Sequence, residues 1–252
     1  MKAKSFLLTF AVGALAALDS TADHRPPEVP YQNVPYNGRF TFARLRFTPS
    51  WWGPGDFMWG LDLKWNHDYA RAETHLMKIL RELTTMEPNT ETNILAMDDP
   101  ELFRYPWAYL CEVGFWTLTD AEARGLRNYL LKGGFLVVDD FVSDHWINFE
   151  TQMHKVMPEA RLIPVDPRDP IFDCFFHIDA SKYVHPYYPQ VRPIYYGIYE
   201  HNDPTQRLMA IVNYNNDVGE YWEWSDQGWV PIELSNEAYK LGVNYVIYGQ
   251  TH

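Results

Sequence analysis

The chain has 252 residues, of which 46% are apolar and 21% charged, which is the composition of a globular protein and not of a disordered one. Its 33 Asp and Glu outweigh 21 Lys and Arg, giving a formal net charge of −12, and without a basic run this disfavours nucleic acids and anionic membranes as partners. Two cysteines exclude a disulfide framework and a cysteine-rich zinc site.

Residues 1–22 have the pattern of a signal peptide. Lys2 and Lys4 precede an apolar run over residues 6–18, which is too short to span a bilayer comfortably. Small residues before Asp23 predict cleavage at that point, with Ala14-Leu15-Ala16 as a second candidate site, although a short buried helix is the alternative to a signal peptide. We therefore expect an exported protein, periplasmic or extracellular, with no transmembrane anchor after signal removal.

Two further segments follow the signal. Residues 23–39 contain four prolines and no periodicity, so they predict an extended arm that packs on its own domain or on a neighbouring subunit. Residues 40–252 show no internal repeat or second boundary and predict one domain. Export would permit a disulfide between Cys111 and Cys174.

From residue 40 onward, apolar segments alternate with amphipathic ones. Strands are predicted over residues 40–47, 92–97, 107–113, 135–138, 161–165 and 208–214. Helices are predicted over residues 69–83 with Asp68 as N-cap, from the capping box at Thr119 to Gly133, and over residues 144–157 and 235–248. Several strands are apolar throughout, which predicts an α/β class with a three-layer, mostly parallel, flavodoxin-like sheet and helices on both faces. Residues 167–207 are predicted to hold short elements of their own.

Polar side chains follow three predicted strands, where open parallel sheets bind ligands. The candidate ligand-binding residues are Trp65, Asp68, Arg71, Glu73, Asp139, Asp140, Asn213, Asp217, Trp222 and Glu223. Of these, Asp139, Asp140 and Asp217 are the candidate ligands of a divalent cation, the one cofactor that the pattern indicates.

Each of these groups also has a structural interpretation. One of Asp139 and Asp140 would cap the next helix while the other pairs with Arg44 or Arg71. The Asn-rich segment 213–217 would be a turn. The tryptophans at positions 51, 52, 59 and 65 form either a stacking platform or part of a core or subunit interface.

Several familiar catalytic motifs are absent from the sequence. There is no G-x-[SC]-x-G elbow, P-loop, G-x-G-x-x-G or H-E-x-x-H. Cys111, in YLCEVG, is expected to be a buried small hydrophobe. His177 and His185 are too loosely placed to predict a metal pair.

Four segments together carry a family resemblance: WNHDYARAE at 65–73, DDPELFRYP at 98–106, GGFLVVDDF at 133–141 and NYNNDVGEYWEW at 213–224. With them the chain resembles the DUF4159 family of exported or envelope bacterial proteins of unknown function. The resemblance implies a sheet similar to class I glutamine amidotransferase-like domains. The nucleophile of those enzymes matches no residue here, so the resemblance implies no reaction.

Two hypotheses from different classes follow. The first is an exported, non-catalytic protein that binds envelope components or assembles with copies of itself. The alternative is a carbohydrate-active or metal-dependent hydrolase that uses the carboxylates at the strand ends. The two strand-end clusters must share one pocket for the alternative to hold.

Overall fold

The short apolar segments of the sequence form the strands of two sheets in the computed structural model, which describes residues 33–50 and 62–252. The strands are β1 Ala43–Arg46, β2 Thr48–Pro49, β3 Asn93–Ala96, β4 Trp107–Cys111, β5 Trp116–Thr117, β6 Phe135–Asp139, β7 Ile163–Pro164, β8 Ile194–Tyr199 and β9 Leu208–Tyr214. The α-helices are α1 Arg71–Leu83, α2 Asp120–Leu131, α3 His145–Val156, α4 Val218–Glu223 and α5 Ile232–Thr251. Short 3₁₀ helices cover Pro100–Arg104, Pro170–Phe172, Ala180–Lys182 and Glu200–Asn202.

The main sheet has seven strands in the order β3-β1-β4-β6-β9-β8-β7. The first five run parallel, while β8 and β7 are added antiparallel at one edge. Numbered by their place in the chain, the parallel strands follow the 2-1-3-4-5 order of doubly wound α/β proteins. Strands β2 and β5 form a separate antiparallel pair.

Helices cover both faces of this sheet because its strands are apolar on both sides. In β6, Phe135 and Val137 pack into the core shared with α1, α4 and α5. Leu136 and Val138 alternate with them and pack into the core beneath α2 and α3. The predicted three-layer, mostly parallel α/β fold is therefore confirmed.

The described part of the predicted arm packs on its own domain. The Asn33 side chain accepts from Ile94 N at 2.8 Å and donates to Ile94 O at 2.9 Å. In return, Asn93 in β3 makes two 2.9 Å hydrogen bonds with the backbone of Val34. Residues 33 and 34 thus occupy the outer edge of β3.

Some predictions fall outside the described residues or need correction. The signal segment 1–22, the arm before residue 33 and the tryptophans at 51, 52 and 59 lie outside them. Asp68 is not the N-cap of α1, because that helix begins at Arg71 with Ala70 at the cap position. Both cysteines are free thiols, so the permitted disulfide is not formed. Among the helices that the structure describes, none combines the length and apolar character needed to cross a bilayer.

Candidate functional site

Four acidic residues meet at the carboxyl edge of the parallel sheet. Glu112 directly follows β4, Asp140 follows β6 and Asp217 lies three residues after β9, while Asp68 precedes α1 in the connection from the β1 side. All four line one cleft with a volume of about 480 Å³. Carboxylates from different strand ends therefore share one cleft, as the hydrolase alternative required.

The backbone around this cleft is unusual. Asp68, Glu112, Asp140 and Asn215 all adopt left-handed conformations, with φ between 53° and 64°. Such conformations are costly for residues with a Cβ, although Asp and Asn tolerate them best. Their concentration at the strand ends is typical of a functional site, where the surrounding fold holds strained residues in place.

The first of two carboxylate groups in the cleft surrounds His67. Nδ1 of His67 lies 2.9 Å from Glu112 and 3.7 Å from Asp140, and Nε2 lies 3.0 Å from Asp62. Burial alone would lower the pKa of His67, but its hydrogen bonds to Asp140, Asp62 and Glu112 outweigh burial and raise the pKa to about 12. The ring is therefore an imidazolium that neutralises part of this group.

The second group, Asp68, Asp217 and Glu220, is more deeply buried. The three residues are only 8%, 4% and 7% exposed, and one oxygen from each lies within 4.8 Å of the others. Asp217 Oδ1 accepts from Glu220 N at 3.0 Å and so caps α4, while Glu220 accepts from the hydroxyl of Tyr187. Asp68 Oδ2 has no hydrogen-bond partner among the residues that the structure describes. We call these three residues the buried triad.

Electrostatics in the cleft disfavour several simultaneous negative charges. Burial, followed by the nearby charge of Asp140, raises the pKa of both Asp68 and Asp217 well above its usual range. Burial and Glu112 likewise raise the pKa of Asp140. Without a bound positive charge, these carboxylates repel one another and take up protons more readily than exposed ones do.

Asp139 is a structural carboxylate and does not face the cleft. It is fully buried and accepts hydrogen bonds from the Tyr109 hydroxyl, Asn213 Nδ2 and the backbone N–H groups of Val218 and Gly219, at 2.9–3.0 Å. This corrects its assignment as a cation ligand, because no oxygen remains free. Asp139 does cap a helix, as the structural alternative expected, but the helix is α4 and not the next one in the chain.

The arginines expected to pair with these aspartates have other partners. Arg44 is buried and forms an ion pair with buried Glu73. Arg71 pairs with Asp226 at the surface, and its guanidinium lies 5.1 Å from the ring centre of Trp224. Glu73 and Arg71 therefore stabilise α1 and its surroundings and do not line the cleft.

Three more candidates lie in the core. Trp65 is 3% exposed, and Trp222 is fully buried with its indole N–H donating to Ala238 O at 3.0 Å. Neither ring can stack on a ligand, which corrects that expectation. Asn213 is also fully buried and joins Asp139 to the Tyr245 hydroxyl.

Aromatic residues from the least regular part of the chain form one wall of the cleft. The lining includes Tyr187, Tyr188, Trp224 and Trp229. Trp229 is 61% exposed, and its ring centre lies 4.9 Å from that of Trp224 and 6.2 Å from that of Tyr187. Behind Tyr187 and Trp229 lies a smaller, mostly apolar pocket of about 240 Å³.

Of the sequence candidates, Asp68, Asp140, Asp217 and Glu223 line the cleft. The candidate list from the sequence left out His67, Glu112, Glu220 and the aromatic wall, although Glu220 and Trp224 lie in the stretch that follows the last predicted strand. The position of Glu112, directly after an apolar strand, is the signal that had singled out Asp140 and could have found it as well. The aromatic wall carried no comparable signal, because its residues come from irregular segments.

Fold and site together define an α/β protein with a doubly wound sheet and an acidic cleft at its carboxyl edge. Residues 41–249 match the family model described as domain of unknown function (DUF4159), and the chain belongs to this family. A search of curated proteins returned no match.

Proposed function

We propose that the cleft binds a carbohydrate, and that this binding is the main function of the domain. The proposal depends on one observation: a floor of carboxylates and a wall of aromatic rings face the same cavity. The lining carboxylates are Asp68, Glu112, Asp140, Asp217, Glu220 and Glu223. This choice favours the carbohydrate alternative over self-assembly.

The charge of the cleft selects against anionic ligands. Its described lining contains six carboxylates and neither Lys nor Arg, and the imidazolium of His67 offsets only part of their charge. Phosphates and acidic polymers would therefore be repelled. A neutral ligand rich in hydroxyl groups can donate to the carboxylates without adding negative charge.

The hydrogen-bonding groups in the cleft suit a sugar. His145 Nδ1 is buried without a hydrogen-bond partner among the described residues, and Tyr188 adds a hydroxyl to the same lining. Each sugar hydroxyl both donates and accepts, so it can pair with either tautomer of the His145 ring and with the tyrosine hydroxyl, whereas an ammonium group can only donate. The exposed ring of Trp229 offers the apolar face on which a sugar ring can stack.

The test is calorimetric titration of the protein with neutral gluco-, manno-, xylo- and chito-oligosaccharides, followed by product analysis to detect cleavage. We expect saturable binding of at least one series. Trp229→Ala should weaken it about tenfold or more, because truncating an aromatic anchor typically costs about 2 kcal/mol. Phe103→Ala is the matched control, since Phe103 is an exposed aromatic packed near Tyr129 and Lys132, outside the cleft lining. Absence of binding to all four series would contradict the proposal.

We also propose that the protein is exported and meets its ligand in the bacterial envelope. The support is the sequence of residues 1–22, with two lysines before an apolar run. Protein purified from its native source should begin at Asp23, which N-terminal sequencing can establish. A native protein that retains Met1–Ala22 would contradict export by this route.

A further inference from the structure

We propose that the buried triad of Asp68, Asp217 and Glu220 binds one hard divalent cation of the Ca²⁺, Mg²⁺ or Mn²⁺ class. The inference deepens the proposed function and rests on it, because the cation would form part of the floor on which the ligand binds. Sugar hydroxyls could then complete its coordination.

The spacing of the triad fits one ion. Its three oxygens lie within 4.8 Å of one another. Calcium–oxygen distances are about 2.3–2.6 Å, so two oxygens on one ion are at most about 5 Å apart. Three oxygens with this spacing can therefore contact one Ca²⁺ after side-chain adjustments of a few tenths of an ångström, whereas the shorter bonds of Mg²⁺, about 2.0–2.1 Å, require a closer approach.

Asp68 supplies the independent observation that a ligand is missing. It is 8% exposed, lines the cleft beside the other two carboxylates, and its Oδ2 has no hydrogen-bond partner in the described part of the chain. Burial removes the hydrogen bonds that a carboxylate oxygen makes to water, and without a new partner nothing offsets this free-energy cost. The neighbouring Gly219 accommodates it, since a Cβ at that position would lie 2.4 Å from Asp68 Oδ2.

The two carboxylate groups in the cleft differ in their counter-charge. The group around Glu112 has the imidazolium of His67, whereas no Lys, Arg or His in residues 33–50 and 62–252 forms an ion pair with any member of the buried triad. Arg44, the cation that acts most strongly on Asp68, forms its ion pair with Glu73. A bound cation would provide the missing positive charge.

The donor atoms indicate the class of ion. All three are carboxylate oxygens, with no thiolate or imidazole among them. Such ligands favour Ca²⁺, Mg²⁺ and Mn²⁺ over softer metals such as Cu(I), which prefer sulfur, and over Zn²⁺, which is mostly bound through Cys and His.

The experiment is calorimetric titration of EDTA-stripped, full-length protein with Ca²⁺, Mg²⁺ and Mn²⁺ in the absence of sugar. We expect one site for at least one of these ions. Asp68→Asn and Asp217→Asn should each weaken it about tenfold or more, since even loss of an outer-shell partner costs about that much. Both variants should fold, because Asn tolerates the left-handed backbone of Asp68 and caps a helix as well as Asp does at position 217.

Glu112→Gln is the matched control, because it removes a carboxylate from the same cleft but from the group around His67. It should leave cation affinity within about twofold of wild type. Absence of binding for all three ions would overturn the inference. So would binding that survives both Asn substitutions or is lost only in Glu112→Gln.

Failure of the inference and failure of the proposed function can be told apart by repeating the sugar titration with and without EDTA. Cation binding without any sugar binding supports the inference and contradicts the proposed function. Sugar binding that is equal with and without EDTA, in a protein that binds no cation, supports the proposed function and overturns the inference. Sugar binding that EDTA abolishes and Ca²⁺, Mg²⁺ or Mn²⁺ restores supports both.

Discussion

Asp139 and Asp140 are adjacent in sequence but have different environments, and substitution should reveal this. Asp139→Asn keeps one acceptor oxygen, which can still serve the N–H groups of α4, but it places an NH₂ group where the buried Nδ2 donor of Asn213 now points. We expect it to lower the free energy of unfolding by roughly 2–3 kcal/mol. Asp140→Asn relieves repulsion in the cleft and tolerates the left-handed backbone, so it should stay within about 1 kcal/mol of wild type. Urea unfolding measures both, and equal destabilisation would contradict the assignment.

Both thiols should be alkylated much more slowly than a free cysteine. Cys111 is fully buried, and burial raises the pKa of the half-buried Cys174 to about 11. Because the thiolate is the reactive form, alkylation of Cys174 at pH 8 should be roughly a hundredfold slower than that of a free cysteine, or slower still. Its rate should rise about tenfold per pH unit up to pH 10, where an ordinary thiol has already levelled off.

Mass spectrometry after timed iodoacetamide treatment measures this alkylation site by site. Urea-unfolded protein is the control, in which both thiols should react at the ordinary rate. Rapid labelling of Cys111 in the folded protein would contradict its buried position.

At the scale of elements, the sequence predicted the strands and helices that have a clear apolar run or hydrophobic period. The parallel strands are short apolar runs, and α2 has the expected capping box at Thr119 and Glu122. Strand β8 was missed because it lies in the proline-rich stretch 167–207 and pairs antiparallel at an edge. Helix α4 was missed because six residues after an Asn-rich turn are too few to show a helical period. This helix carries Glu220, which belongs to the buried triad.

The Arg44–Glu73 pair joins β1 to α1 and should behave as a coupled unit. Both side chains are nearly inaccessible, at 1% and 0% exposed, so removing one leaves the other as an uncompensated buried charge. We expect Arg44→Met to cost roughly 3–5 kcal/mol of stability, whereas adding Glu73→Leu should recover part of that loss. A double-mutant cycle by chemical denaturation measures the coupling. Strictly additive effects would show that the pair contributes no specific interaction.

At the scale of the whole molecule, the edges of the sheet are one place where the chain can associate with copies of itself. An uncovered edge strand offers unpaired N–H and C=O groups to another chain. One edge ends in the two-residue β7, which is too short to pair extensively. At the other edge, Asn33 uses its side-chain amide to pair with the backbone of Ile94 in β3. The arm that suggested contact with a neighbour thus contributes residues that occupy the edge of its own sheet.

Removing this cover should therefore promote association. We expect a chain that begins at residue 39 to form dimers or larger species through β3, because deletion removes the amide–backbone pairs of Asn33 and Val34 with Asn93 and Ile94. A chain that begins at residue 23 retains these pairs and should be monomeric at the same concentration. Light scattering coupled to size-exclusion chromatography gives both masses. Association of the longer chain alone would reverse the argument, since it would show that the arm joins subunits and does not shield the edge.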